Sequence, residues 1–101
     1  MGPHDNAKER SGNRREATAT LPNKAGLHAR SAAMLVKAAA RYQCTVTLAC
    51  NGRTANARSL MDLLRLGARQ GHDLAIRAEG PDADVALRDV TELIERGFDE
   101  E

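Results

Sequence analysis

The stretch CTVTLACNGRTANA, residues 44–57, decides the fold. Its first half alternates: Cys44, Val46, Leu48 and Cys50 fall on one side, with Thr45, Thr47 and Ala49 on the other. That period of two is the signature of a strand with one face buried. Asn51-Gly52 follows, the pair best suited to a two-residue turn in which both residues take positive φ. RTANA, residues 53–57, then reads as a second, weaker strand, so the stretch predicts an antiparallel hairpin. One-sided alternation requires a sheet with one face on a core and the other in water, which an antiparallel sheet allows. The alternation also places Cys44 and Cys50 on the apolar side. On one strand they stand about 20 Å apart at ~3.3 Å per residue, too far for a disulfide. No metal-ligand spacing or histidine cluster accompanies them, so buried, reduced thiols and no metal are expected.

Working outward, EATATL (residues 16–21) alternates as well, with Ala17, Ala19 and Leu21 inward. PNKAG supplies turn chemistry. From Ala29 to Tyr42 the residues Ala32, Leu35, Val36 and Ala39 recur at helical spacing in an alanine-rich segment. Downstream, SLMDLLRLG (59–67) predicts a two-turn helix with Ser59 as N-cap, Asp62 three residues on and Gly67 as its stop. DLAIRAEG (73–80) is a further strand, inward at Leu74, Ile76 and Ala78, after a loop in which His72 is expected to be solvent-exposed. A last helix runs from near Asp82 to about Gly97, apolar at Ala83, Leu87, Val90 and Ile94. The order βαββαβα predicts an α+β domain: a four-stranded antiparallel sheet carrying three helices on one face. Pattern alone does not order the strands.

Composition sets the outer limits. At 101 residues the chain supports one domain with one core, and with one Tyr, one Phe and no Trp that core must be aliphatic. A formal charge of +1 gives no global pull toward nucleic acid or a membrane surface. The exposed sheet face lacks aromatic residues on which bases could stack, which speaks against nucleic acid as a partner. No apolar run approaches the ~18 residues of a membrane span, and the N-terminus lacks the apolar stretch of a signal peptide. A soluble, cytoplasmic protein is expected, without membrane insertion and monomeric. Residues 1–14, MGPHDNAKERSGNR, hold no long aliphatic residue beyond Met1 and are read as a disordered extension, with the domain at 15–101.

Chemistry concentrates in NKAGLHARSAA, residues 23–33. His28 stands at or beside the N-cap of the first helix, near backbone N–H groups that lack intrahelical partners. Such a terminus attracts anions, phosphate above all, and disfavours a positively charged ring. A neutral imidazole has the free lone pair needed to attack phosphorus. Arg30, two residues on, can present a planar fork of donors to the oxygens of the transferred group. On spacing alone, His28 as an ordinary capping residue and Arg30 as a solvated cation remain open.

NKAGLHARSAA resembles the active-site segment of HPr, the histidine phosphocarrier family of the phosphoenolpyruvate-dependent phosphotransferase system. NARSLMDLLRLGARQG resembles the family's regulatory-serine region at the expected distance downstream, and AEGPDADVAL followed by a helix ending GFDEE resembles its closing portion. The resemblance covers about residues 15–101 and implies the family's open-faced β-sandwich. It implies that His28 accepts phosphate from phospho-enzyme I and passes it to a downstream enzyme IIA-type acceptor, with Arg30 binding the phosphoryl oxygens and no cofactor required. Such a carrier is a stoichiometric substrate in a transferase relay rather than a turnover enzyme. NKAGLHAR with QCTVTLACNGR looks more like the nitrogen-branch carrier (NPr) than the sugar-transport carrier, which has proline where Ser31 stands. Ser59 aligns with the serine phosphorylated by a dedicated kinase in some members, although Ser-x-x-Asp is also a plain capping pattern. Leu60, Met61 and Leu64 match the family's apolar docking patch. The alternative from another class is a regulatory binding module of the same fold that docks on enzymes or transporters; the intact His-Ala-Arg favours the carrier.

Overall fold

The computed structural model describes residues 13–100. Seven elements follow one another: β1 (Arg14–Thr20), α1 (Ala29–Ala40), β2 (Thr45–Cys50), β3 (Arg53–Asn56), α2 (Leu60–Arg65), β4 (Asp73–Glu79) and α3 (Ala83–Glu95), with a 3-10 turn at Gly97–Asp99. The βαββαβα order is the one the sequence pattern predicts. The strands lie in the order β1-β4-β2-β3, every neighbouring pair antiparallel. Asn51 and Gly52 both take positive φ at the β2–β3 reversal, and the Asn51 amide donates to the carbonyls of Leu66 and Gly67. One turn residue therefore closes the hairpin and also caps the C-terminal end of α2.

The buried side chains are aliphatic. Val46, Leu48, Leu74, Ile76 and Ala78 from the sheet meet Leu35, Leu63, Val90 and Ile94 from the helices, all within 1% of full burial. Burying each of the larger ones contributes about 1.5–3 kcal/mol. Helix α3 lies across β1 and β4, α2 packs beside β3, and α1 contacts both α2 and α3. The opposite sheet face stays in water, where Glu16 sits directly across from Arg77 and pairs with it at 3.2 Å. The result is the open-faced α+β sandwich.

Several expectations need correction. β1 begins at Arg14, not Glu16, because Arg14 and Arg15 pair with Glu79 and Ala78, and Gly80 donates to the carbonyl of Asn13. The expected extension thus loses its last two residues to the domain; residues 1–12 lie outside the described region. α1 ends at Ala40, and the N–H groups of Arg41 and Tyr42 close the helix on Ala38 and Ala39. Cys50 is buried, but Cys44 precedes β2 and is only half-buried; both thiols are free. His72 is half-buried rather than exposed, accepting from the Arg69 N–H on Nδ1 and from Leu21 on its carbonyl. Among the described residues no helix is long and apolar enough to cross a membrane.

Candidate functional site

The connection from β1 to α1 is built around Asn23, Gly26 and Ser31. Gly26 has φ +66°, and a Cβ placed there would stand 2.7 Å from the Ala68 carbonyl, so only glycine fits. Leu27 donates to that same carbonyl at 3.0 Å, which ties the loop to the turn after α2. The Gly26 carbonyl accepts from the buried Asn23 amide at 2.9 Å and from the Ser31 hydroxyl at 3.2 Å. These bonds aim the chain into α1 with its first residues in a fixed place.

His28 is the N-cap of that helix. Its backbone N–H donates to Ser31 Oγ at 2.9 Å, half of a reciprocal capping arrangement. Its ring is held from both sides. Nδ1 accepts from the Arg30 backbone N–H at 3.3 Å, and Nε2 lies 2.8 Å from Glu100 Oε2. An atom that faces an N–H must offer a lone pair, and an atom that faces a carboxylate must carry a proton. The neutral ring is therefore the Nε2–H tautomer, with the Nδ1 lone pair directed at the Arg30 N–H in the first turn of α1. The side chain is about one-third exposed, so an approaching group can reach it.

Glu100 was absent from the sequence reading, and it is the acidic partner of the site. Asn23 donates to its Oε1 at 2.8 Å while His28 holds Oε2. The Asn23 hydrogen bond, followed by that of His28, holds this carboxyl below the usual glutamate range, although burial opposes them. Arg30 adds a smaller pull in the same direction. The chain reaches this position through an unusual path: Gly97, Phe98 and Asp99 all have positive φ, and Phe98 is buried. No sequence signal marks Glu100, since its contact spans 72 residues. The Gly97-Phe98 pair just before it is the one local hint of a forced turn.

The other expected residues fall nearby in part. Arg30 sits in the exposed first turn of α1, and among the described residues its guanidinium makes no hydrogen bond or ion pair. Ser59 is the N-cap of α2 and accepts from the Asp62 N–H at 3.2 Å. Asp62 does not return the bond; its carboxylate accepts from Asn56 instead. Leu60 and Met61 are exposed at 39% and 58%, while Leu64 is half-buried against the core. Because α2 packs on α1, this apolar patch flanks the helix that His28 opens. An imidazole lone pair, the opening of α1 and a guanidinium without a hydrogen bond among the described residues together form a place where an anion can be bound.

Comparison with known proteins bears on the family and the fold. The family described as PTS HPr component phosphorylation site matches residues 15–96. A phosphocarrier protein HPr from Xylella fastidiosa is 40% identical over 82 residues, covering 81% of this chain and 92% of the relative. One from Pseudomonas aeruginosa is 42% identical over 82 residues, 80% of this chain and 91% of the relative. Among solved structures, an HPr from Thermoanaerobacter tengcongensis superposes with a TM-score of 0.82 at 37% identity, covering 86% of this chain and 98% of that one. The fold, the capped histidine and the matched span together place this chain in the HPr family of phosphocarriers of the phosphotransferase system.

Proposed function

We propose that this chain receives a phosphoryl group on Nδ1 of His28 from phospho-enzyme I and delivers it to an enzyme IIA-type acceptor. The observation that carries this reading is the orientation of the ring. Nδ1 bears the lone pair and faces the opening of α1, while Nε2 is engaged by Glu100. In the forward step the Nδ1 lone pair attacks phosphorus, and the bond to the donor breaks with its electron pair returning to the donor. The phosphoryl oxygens then lie beside the helix amides, with Arg30 within reach as a bidentate donor. Preorganised donors at the site of developing charge are the main contribution a protein makes to phosphoryl transfer.

Met61 and Leu60 support a docking role for the face beside α1, since transient transfer complexes need only a modest apolar contact. A relative from Vibrio cholerae is named a multiphosphoryl transfer protein, and the aligned segment covers 22% of its length. That name supports a place for this domain in a chain of phosphoryl transfers. Ser31, where the sugar-branch pattern has proline, is the residue that favours the nitrogen branch. Ser59 is read as a structural cap, because its hydroxyl already accepts the Asp62 N–H and an added phosphate would stand beside the Asp62 carboxylate. The relay is assigned to the cytoplasm.

The test is incubation with enzyme I and phosphoenolpyruvate. The expected result is an acid-labile gain of one phosphate that disappears in His28→Ala. Absence of labelling under saturating donor would leave the regulatory binding module as the reading.

A further inference from the structure

We propose that Ser31 is a positioning residue for phosphoryl transfer, fixing the backbone of His28 with a buried, uncharged hydroxyl. The ring thereby keeps its aim, and the positive pole of α1 stays free for the phosphoryl group. The inference rests on the phosphohistidine reading above and extends it from the ring to the hydroxyl that holds the ring's backbone.

Ser31 is fully buried, and its Oγ sits among three backbone groups. It accepts from the His28 N–H at 2.9 Å, and its single proton goes to the Gly26 carbonyl at 3.2 Å or the His28 carbonyl at 3.3 Å. Both carbonyls have other donors: the Asn23 amide reaches Gly26, and the Ala32 N–H reaches His28 at 2.7 Å. Among the described residues the His28 N–H has Oγ alone. Without that oxygen the donor loses its partner, and His28 is no longer tied on its N-terminal side. Since the Cα–Cβ direction follows the backbone, a shift there moves Nδ1 from the Arg30 N–H, which it faces at 3.3 Å. A misplacement of about 1 Å can slow a reaction by about a hundredfold.

The chemistry of this cap is as particular as its geometry. In the common reciprocal arrangement the third helical residue is Glu or Gln. An acid in the first turn stabilises a helix, and α2 and α3 each have one, Asp62 and Asp84. The first turn of α1 has none. Ser31 caps it with a neutral oxygen instead. A carboxylate in that place would occupy the helix's positive pole and repel a phosphoryl group on Nδ1. Glu100 does not stand there, because it meets the ring at Nε2, on the edge away from Nδ1. Helix α1 thus forgoes the stabilisation of a first-turn acid at the opening that must admit an anion.

The experiment compares wild type, Ser31→Ala and Ser59→Ala in the full chain. Thermal unfolding is measured beside rapid-quench labelling from phospho-enzyme I over a range of carrier concentrations. Each substitution removes one capping oxygen, so both should lower Tm by about 4–8 °C. Their transfer rates should differ. Ser31→Ala is expected to be about tenfold slower at saturating carrier with the half-saturating concentration unchanged, while Ser59→Ala keeps the wild-type rate. An isosteric pair then tests the charge: Ser31→Asn and Ser31→Asp both supply an acceptor oxygen, and the Asp variant should be at least about tenfold slower than the Asn variant. A wild-type rate in Ser31→Ala overturns the proposal, as do equal losses in the two alanine variants or equal rates in the isosteric pair. Alanine only subtracts an oxygen, so that variant decides the outcome where the larger side chains prevent folding. Failure of enzyme I to label wild type overturns the carrier reading and this inference with it; a labelled wild type with an unslowed Ser31→Ala overturns this inference alone.

Discussion

Asn23 and Glu100, 77 residues apart in the chain, are joined by a 2.8 Å hydrogen bond from a buried amide to a carboxylate. This contact makes stability depend on acidity in a definite direction. Glu100 ionises more readily in the folded protein than in the unfolded chain. Its stabilising contribution is therefore complete above the ordinary glutamate range, about 4.3, and is lost as the pH falls through its lower folded value. Thermal unfolding of Glu100→Gln should show a lower Tm than wild type at pH 6, and the gap should close as the pH approaches 3. A gap of constant size over that range would mean that the carboxylate's charge is not what stabilises the fold.

Gly26→Ala tests the loop that presents the ring. The substitution forces an L-residue into the left-handed region, costing about 1–2 kcal/mol, and adds a contact of 2.7 Å with a backbone oxygen that cannot move cheaply. Urea unfolding should lose at least about 2 kcal/mol, with slower labelling of His28 as Leu27 is pushed off Ala68. Wild-type stability would show that the 67–72 turn yields freely.

Ser59→Ala removes the cap of a six-residue helix. A loss of about 1 kcal/mol is expected, a fall in Tm of roughly 4–8 °C, while phosphorylation of His28 by enzyme I continues at its normal rate. A large loss of labelling with intact stability would instead assign Ser59 to the transfer machinery.

Arg30→Lys separates charge from geometry. Lysine keeps the positive charge but not the planar fork, so transfer from phospho-enzyme I should slow by about tenfold with Tm unchanged. Rapid-quench labelling at saturating donor reads this directly; equal rates would exclude bidentate binding by the guanidinium.

Met61→Asp examines the flank of α1. At 58% exposure the side chain contributes little to folding, so stability should stay within about 0.5 kcal/mol. The concentration of carrier needed for half-maximal labelling should rise about tenfold, with little change in the saturated rate. An unaltered concentration dependence would place the enzyme I contact elsewhere.

Local pattern carried the fold. Period-two alternation, Asn51-Gly52, the Ser59 cap and the Gly67 stop each act over a few residues, and each has a physical cause visible in the chain itself. The same holds for His28 and Arg30, which lie two apart at a helix opening. Glu100 escaped because its partners are distant in sequence: the packing of the 3-10 turn against Pro22 and Asn23 brings the carboxylate to the ring. Cys44 was misplaced for a smaller reason. Alternation continued one residue past the point where pairing begins, since the β2–β4 ladder starts at Thr45.

The strand order has a consequence for biosynthesis. Among the described residues β1 is an edge strand that pairs in the sheet with β4 alone, more than fifty residues later, so a growing polypeptide exposes that strand unpaired until the ribosome has delivered residues 73–79. The β2–β3 hairpin can close long before that. The contact between the His28 ring and the Glu100 carboxylate forms later still, once residue 100 has emerged. The surroundings of the His28 ring are thus completed last in the order of synthesis.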